Sequence, residues 1–300
     1  MNPPTPVRGL WCATLTPLDA RHSIDSARFV DHVRGLFAEG IDGIVPFGTT
    51  GEGQSFGVAE RMAGLEALVA AGIPPASIVP GTGCAALTDT IALTRHATDA
   101  GCAGVLVLPP FFFKDITDEG LYASYAALVD AIADPRLRLY LYHIPQVTAV
   151  PVTAPVIERL RLAYPGIIAG LKDSAGDLGH SQDMLARFPD LAVLVGHEPH
   201  LSPMLAAGGA GTIGGLANMF PRRMRRLFDA AGTRDEADAL AEITRPLDII
   251  LDYPLLPALK ALQAELTDDE AWTAVRPPLA PLPSTARTAM LERLRASHSL

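Results

Sequence analysis

Two periods of apolar spacing alternate along this chain. Short runs rich in Val, Ile and Leu recur, each followed by Gly, Pro or Thr and then by a segment with helical spacing. They are GLWCATLTP from Gly9, GIVPFGTTGE from Gly43, SIVPGTG from Ser77, GVLVLPPFF from Gly104, LRLYLYHIP from Leu137, IIAGLKDS from Ile167, AVLVGHE from Ala192 and AGTIGGLAN from Ala210, eight in all. Between them, Ser26 to Glu39 sets Phe29, Val33, Leu36 and Phe37 on one face. Val58 to Ala71 does the same with Met62, Leu65, Leu68 and Val69, and Thr88 to Ala100 with Ile91, Leu93 and His96. That spacing predicts amphipathic helices. Strands that read as continuous apolar runs are buried on both faces and are usually parallel. Eight β-then-α units predict an α/β fold of the (β/α)₈ TIM-barrel type. A doubly wound sheet competes, but normally has fewer strands. The tail from about Arg225 offers no strand. Helical patterns at Asp235 to Leu251, Leu255 to Leu266 and Ser284 to Ala296 predict helices packed on the barrel's outside, with PPLAPLP from Pro277 as a connection. The expected division is a catalytic barrel over residues 5–225 and a C-terminal helical extension over 226–300.

Composition narrows the class. With 300 residues, 49% hydrophobic and 19% charged, the chain supports a sizeable core rather than global disorder. Its formal net charge of -9 argues against a nucleic-acid binder, which needs clustered Lys and Arg. The one basic cluster, Arg222, Arg223, Arg225 and Arg226, follows Pro221 and reads as a solvated helix face. Cys12, Cys84 and Cys102 form no CxxC pair and suit a reducing compartment. The start MNPPTPVRGLW lacks the pattern of a signal peptide, and no apolar stretch approaches the roughly 18 residues of a membrane span. A soluble cytoplasmic protein is expected.

In a barrel the active site is built at the C-terminal ends of the strands, so position there is informative. Lys172 ends IIAGLK, a run expected to be buried, and lysine is rarely buried without a reason. Burial disfavours the ammonium, and the neutral amine attacks carbonyls. The structural alternative is a salt bridge to Asp173 or Asp177. Tyr142 closes LRLYLY and offers a phenol for proton transfer, or else a hydrogen-bonded core aromatic. GTTGEG from Gly48 follows another strand. Its glycines permit a tight turn, its N–H groups a nest for an anion, and Thr49 and Thr50 add hydroxyls. Two further stretches resemble known motifs. GTGCAA from Gly81 matches G-x-G-x-x-A, but the next strand run ends in apolar residues where a dinucleotide site needs an acid. HEPH from His197 lacks the spacing of a helical zinc motif, while its place after AVLVG sets His197 and Glu198 at the rim.

Taken in order, GTTGE at Gly48 to Glu52, YHIP at Tyr142 to Pro145 and GLKDSAGD at Gly170 to Asp177 resemble the dihydrodipicolinate synthase / N-acetylneuraminate lyase family of class I aldolases. The resemblance runs from ATLTPL at Ala13 to the helical tail. It implies that Lys172 forms the Schiff base, that Tyr142 shuttles protons near the imine, and that Gly48, Thr49 and Thr50 hold the substrate carboxylate. It also implies that the Ile213 carbonyl lines the site, that no metal or other cofactor is required, and that the protein is a homotetramer acting on a small 2-oxo acid and an aldehyde. The sequence departs from the synthases of the family. Val147 stands where they carry an arginine for a distal carboxylate, Phe112 where they carry a relay tyrosine, and Ala149 where glycine is usual. The family's sugar-acid lyases are apolar at the Val147 position. The expected reaction is therefore cleavage, or dehydration, of a 2-keto-3-deoxy sugar acid or similar 2-oxo acid, with Gln146, Thr148, His197 and Glu198 as contacts for the polar tail. Dihydrodipicolinate synthesis is the alternative. From other classes come a non-catalytic 2-oxo-acid binding protein and a nicotinamide-dependent oxidoreductase.

Overall fold

Ladders form along the Val- and Ile-rich runs, and several stop just before a proline or glycine, as β6 does before Gly196. The computed structural model describes residues 5–300, so the first four residues of the MNPPTP start lie outside the described residues. The strands are β1 (Gly9–Cys12), β2 (Gly43–Ile44), β3 (Val105–Val107), β4 (Leu139–His143), β5 (Ile168–Asp173), β6 (Ala192–Val195) and β7 (Gly211–Gly214). All pair in parallel, in the order β2-β1-β7-β6-β5-β4-β3.

The run from Ser77 is not a regular strand, because Pro80 has no N–H to give the ladder. It still joins the two sheet edges. Val79 N–H donates to the Ile44 carbonyl at 2.9 Å and Gly81 N–H to that of Pro46 at 2.8 Å. On the other side Thr82 N–H donates to the Leu106 carbonyl, and Leu106 N–H to that of Pro80, both at 2.9 Å. The segment is an eighth stave, and the barrel closes through it.

Successive residues of each strand face opposite sides. Trp11, Val45, Val79, Leu106, Tyr140 and Leu194 form the interior cluster, while Leu10, Cys12, Ile44 and Leu141 pack outward under the helices. Tyr140 fills the barrel's lower half, where its hydroxyl accepts the Val7 N–H at 2.7 Å. Gly170 makes room for it: a Cβ there would lie 2.4 Å from the Tyr140 ring.

The helices are α1 (Ser26–Ala38), α2 (Val58–Ala70), α3 (Leu87–Asp99), α4 (Asp118–Ile132), the single turn α5 (Pro145–Thr148), α6 (Ala154–Ala163), α7 (Leu178–Arg187), α8 (Leu201–Ala206), α9 (Pro221–Ala230), α10 (Glu236–Leu251), α11 (Leu255–Thr267) and α12 (Ser284–Ala296). Their starts are fixed locally. Asp25, Thr117 and Asp177 accept the N–H groups of Arg28, Gly120 and His180. α9 carries the arginine cluster. Arg222 pairs with Glu39, Arg225 with Asp42 and Asp229, and Arg226 with Glu242, while Arg223 lies over Phe220. This helix runs across position 225.

The tail helices do more than cover the outside, as their spacing alone predicted. α10 and α11 reach over the rim at the C-terminal ends of the strands. Lys260 of α11 forms a fully buried ion pair with Glu52 of the GTTGE loop. Its ammonium also donates to the Ala274 carbonyl at 2.7 Å. Hydrophobic spacing gives the face a helix buries, but not where along the barrel that face lands.

Candidate active site

β4 and β5 run side by side with Tyr142 directly opposite Lys172. Both point inward, because Tyr140 and Tyr142 are two apart on one strand face. Lys172 is 4% exposed, and its ammonium nitrogen lies 4.3 Å from the centroid of the Tyr142 ring. Among the described residues it forms no ion pair. The two acids expected to compete for it are engaged elsewhere. Asp173 faces the other side of the sheet, where it accepts from Ser181 Oγ at 2.7 Å and meets His180 Nδ1 at 2.7 Å. Asp177 caps α7. A buried lysine without a carboxylate, held against an aromatic face, is placed to react.

Burial pushes the Tyr142 phenol up. The Lys172 charge, with polar contacts to Thr49, Lys172 and Ser174, outweighs burial and holds it below its ordinary value. A phenol so placed gives up and recovers a proton more readily beside the amine. Its hydroxyl lies 3.4 Å from Thr49 Oγ1. Such contacts commonly tighten once substrate is bound.

The GTTGE loop is held on three sides. Thr16 Oγ donates to the Gly51 carbonyl at 2.7 Å, Glu52 pairs with Lys260, and the Arg276 N–H donates to Glu52 at 3.0 Å. Within the loop, Glu52 N–H donates to Thr49 and Gly53 N–H to Gly48, which closes a tight turn. The N–H groups of Thr49 and Thr50 make no hydrogen bond among the described residues. Two free donors and two hydroxyls facing a lysine fit a carboxylate.

A cavity of about 240 Å³ connects these groups. The structure brings Lys172, Tyr142, Thr49, Thr50, Ile213, Gln146, His197 and Glu198 to its wall. Gln146 donates to the Ser174 carbonyl at 2.5 Å, and Glu198 accepts the Leu216 N–H at 3.0 Å. His197 packs edge-on against His200, with centroids 4.6 Å apart. Gly48, Val147 and Thr148 are not on the wall. Gly48 supplies the turn's carbonyl. Val147 is 56% exposed on α5, and the Thr148 hydroxyl donates within that turn to the Ile144 or Val150 carbonyl. Val147 and Thr148 depart from the expected position because α5 folds as a closed helical turn, and Gly48 because its carbonyl is turned into the loop to accept the Gly53 N–H.

Some wall residues were not anticipated. Ser174, two residues beyond Lys172, stands beside Gly196, where an added Cβ would sit 1.9 Å from Ser174 Oγ. The pattern of a lysine at a strand end followed at i+2 by a hydroxyl contained that signal. Leu247, Leu251, Leu255 and Leu259 also line the cavity, from α10 and α11, and no local pattern announces them.

The remaining motifs resolve structurally. In GTGCAA, Arg61 donates to the Gly81 carbonyl and Gln54 to that of Gly83, and a Cβ on Gly83 would lie 2.5 Å from the Leu108 nitrogen. These glycines serve close backbone packing. His143, Asp173 and His180 bring ligand-type atoms within 4.8 Å of one another. The two imidazoles stack with centroids 4.4 Å apart and planes 16° from parallel, so their in-plane lone pairs run side by side rather than converge. His143 Nδ1 accepts the Val152 N–H at 3.1 Å, and the group reads as a hydrogen-bonded support under the strand ends.

Comparison with known proteins agrees with this architecture. The model of the dihydrodipicolinate synthetase family matches residues 6–297. A DapA-like lyase of Chloroflexus aurantiacus is 41% identical over 96% of this chain and 97% of its own. A 4-hydroxy-tetrahydrodipicolinate synthase of Rhodospirillum centenum is 35% identical over 84% and 82%. The crystal structure of dihydrodipicolinate synthase from Agrobacterium tumefaciens superposes with a TM-score of 0.89 at 34% identity, over 96% of this chain and 98% of that one. The chain belongs to the dihydrodipicolinate synthetase family.

Proposed function

We propose that this member of the dihydrodipicolinate synthetase family is a class I, metal-independent lyase that makes or breaks a carbon–carbon bond beside a 2-oxo acid through an imine on Lys172. The observation that carries the proposal is a buried lysine, free of carboxylates, against the Tyr142 ring and opposite the open donors of the GTT loop. The neutral amine attacks the C2 ketone, and Tyr142 carries the proton to the carbinolamine oxygen, which leaves as water. In the cleavage direction, the Tyr142 phenolate left by that transfer takes the C4 hydroxyl proton, and the C3–C4 bond breaks. The electron pair passes to C3 and into the imine, giving an enamine and a free aldehyde. Return of that proton from Tyr142 to C3 and hydrolysis of the imine by water then release pyruvate and the lysine. The GTT loop offsets the carboxylate charge throughout, and the iminium is itself the electrophile.

The substrates so defined are pyruvate and 2-keto-3-deoxy acids built from it. The relatives named as synthases support dihydrodipicolinate synthesis as a second reading. Against it stands the cavity wall, on which Lys172 is the sole Lys or Arg among the described residues, so a distal carboxylate finds no bidentate partner. A non-catalytic binding role leaves the Lys172–Tyr142 pair unexplained. The enzyme is expected in the cytoplasm, where the unpaired thiols of Cys12, Cys84 and Cys102 stay reduced. A homotetramer is supported by Phe112 and Phe113, each 71% exposed, and by the exposed Val147 of α5, apolar side chains unsuited to water. Lys114 ties this loop to the α5 turn through the Phe111 and Thr148 carbonyls.

Borohydride reduction in the presence of pyruvate tests the proposal. The expected product is a secondary amine on Lys172, seen by peptide mass and absent from Lys172→Ala. Intact enzyme that stays unmodified overturns it.

A further inference from the structure

We infer, building on the reading of Lys172 as the imine-forming group, that the half of the substrate beyond the reacting carbons is apolar and is received by a wall of leucines contributed by the tail helices. Leu247 and Leu251 are four apart on α10, and Leu255 and Leu259 four apart on α11, so each pair shares a helix face. Both faces meet at the cavity that holds Lys172. Leu247 and Leu259 are buried, whereas Leu251 and Leu255 are 51% and 40% exposed at the mouth. A single exposed leucine is ordinary. Four that converge on one reactive lysine make a surface for a ligand to cover.

The wall starts at the carboxylate end. A Cβ on Gly215 would lie 3.4 Å from Thr50 Oγ1 and 3.7 Å from Leu259 Cδ1, so Leu259 and the GTT loop's Thr50 both border Gly215. The adjacent Lys260 locks α11 to that loop through Glu52. Several of the polar side chains on the wall are already engaged. Gln146 donates to the Ser174 carbonyl, Glu198 accepts from Leu216, and Thr49 meets Tyr142. Hydroxyls along the tail would give up water for the few partners left, and a tail carboxylate would meet Glu198 and, among the described residues, no Lys or Arg besides Lys172. A short alkyl or aryl tail incurs neither penalty.

The experiment measures the 2-oxo acid concentration that gives half-maximal borohydride trapping. It compares pyruvate, an unbranched six-carbon 2-oxo acid without tail hydroxyls, and a polyhydroxylated six-carbon 3-deoxy-2-oxo acid counted as its open-chain form. The alkyl acid is expected to half-saturate at a concentration about tenfold or more below the polyhydroxylated one. Leu251→Asn with Leu255→Asn, both at part-exposed positions that tolerate a polar side chain, is expected to narrow that ratio about tenfold. If pyruvate labels Lys172 but the polyhydroxylated acid half-saturates as low as the alkyl acid, or the double variant leaves the ratio unmoved, the apolar tail is wrong and the imine stands. If pyruvate labels nothing, the imine itself falls, and the tail assignment falls with it.

Discussion

At the scale of single residues, the chemistry depends on what Lys172 lacks. Sequence position left an ion pair to Asp173 or Asp177 as open as catalysis. The strand's two-residue period turns Asp173 away, and the cap of α7 takes Asp177. Tyr142, opposite Lys172 in the β4–β5 register, is the proposed proton carrier. Tyr142→Phe is expected to lower kcat by about 10²- to 10⁴-fold, measured as pyruvate release under saturating substrate. A decrease of only a few-fold would show that another group moves the proton. The identity of Lys172 and Tyr142 was legible in the sequence. Their separation was not, because it depends on the β4–β5 register.

At the scale of elements, two links tie the tail to the barrel. Removing one member of a buried ion pair leaves the other charge stranded, at a cost of about 3–5 kcal/mol. Lys260→Met should lose that much in urea unfolding, and Glu52→Leu added to it should recover most of the loss. A single variant within about 1 kcal/mol of the parent would make the pair no stronger than a surface one. The second link is His32 of α1, which hydrogen-bonds Asn218 at 2.9 Å and packs on Trp272. Burial, only partly opposed by the Asn218 bond, lowers its pKa from 6.5 to about 4. The unfolded chain therefore binds this proton at higher pH than the folded one. Its contribution is complete above pH 6.5 and is lost as pH falls towards 4, on the order of 2 kcal/mol between pH 7 and pH 4.5. His32→Phe should flatten that part of the stability profile, and an unchanged slope would assign the acid sensitivity elsewhere.

For the whole molecule, the exposed Phe112, Phe113 and Val147 are the expected seam between copies. Sedimentation of the native chain should give a tetramer, and Phe112→Glu with Phe113→Glu a smaller species. A native monomer would refute the assembly. The sequence by itself determined the barrel, because strands buried on both faces leave apolar runs and their helices leave a 3.6-residue period. It also marked Lys172 as a candidate, because a lysine closing a dry strand is rare enough to stand out. Even the run from Ser77 was recognisable as barrel wall, although Pro80 reduces it to isolated bridges. Only the tertiary structure decided that α10 and α11 close over the mouth and that Val147 faces solvent. The leucines at 247, 251, 255 and 259 read as an ordinary apolar helix face until the chain brings them beside Lys172. Residues so far apart in sequence leave no local pattern when they meet, so the buried strand-end lysine was legible in the chain and the leucine wall of its cavity was not.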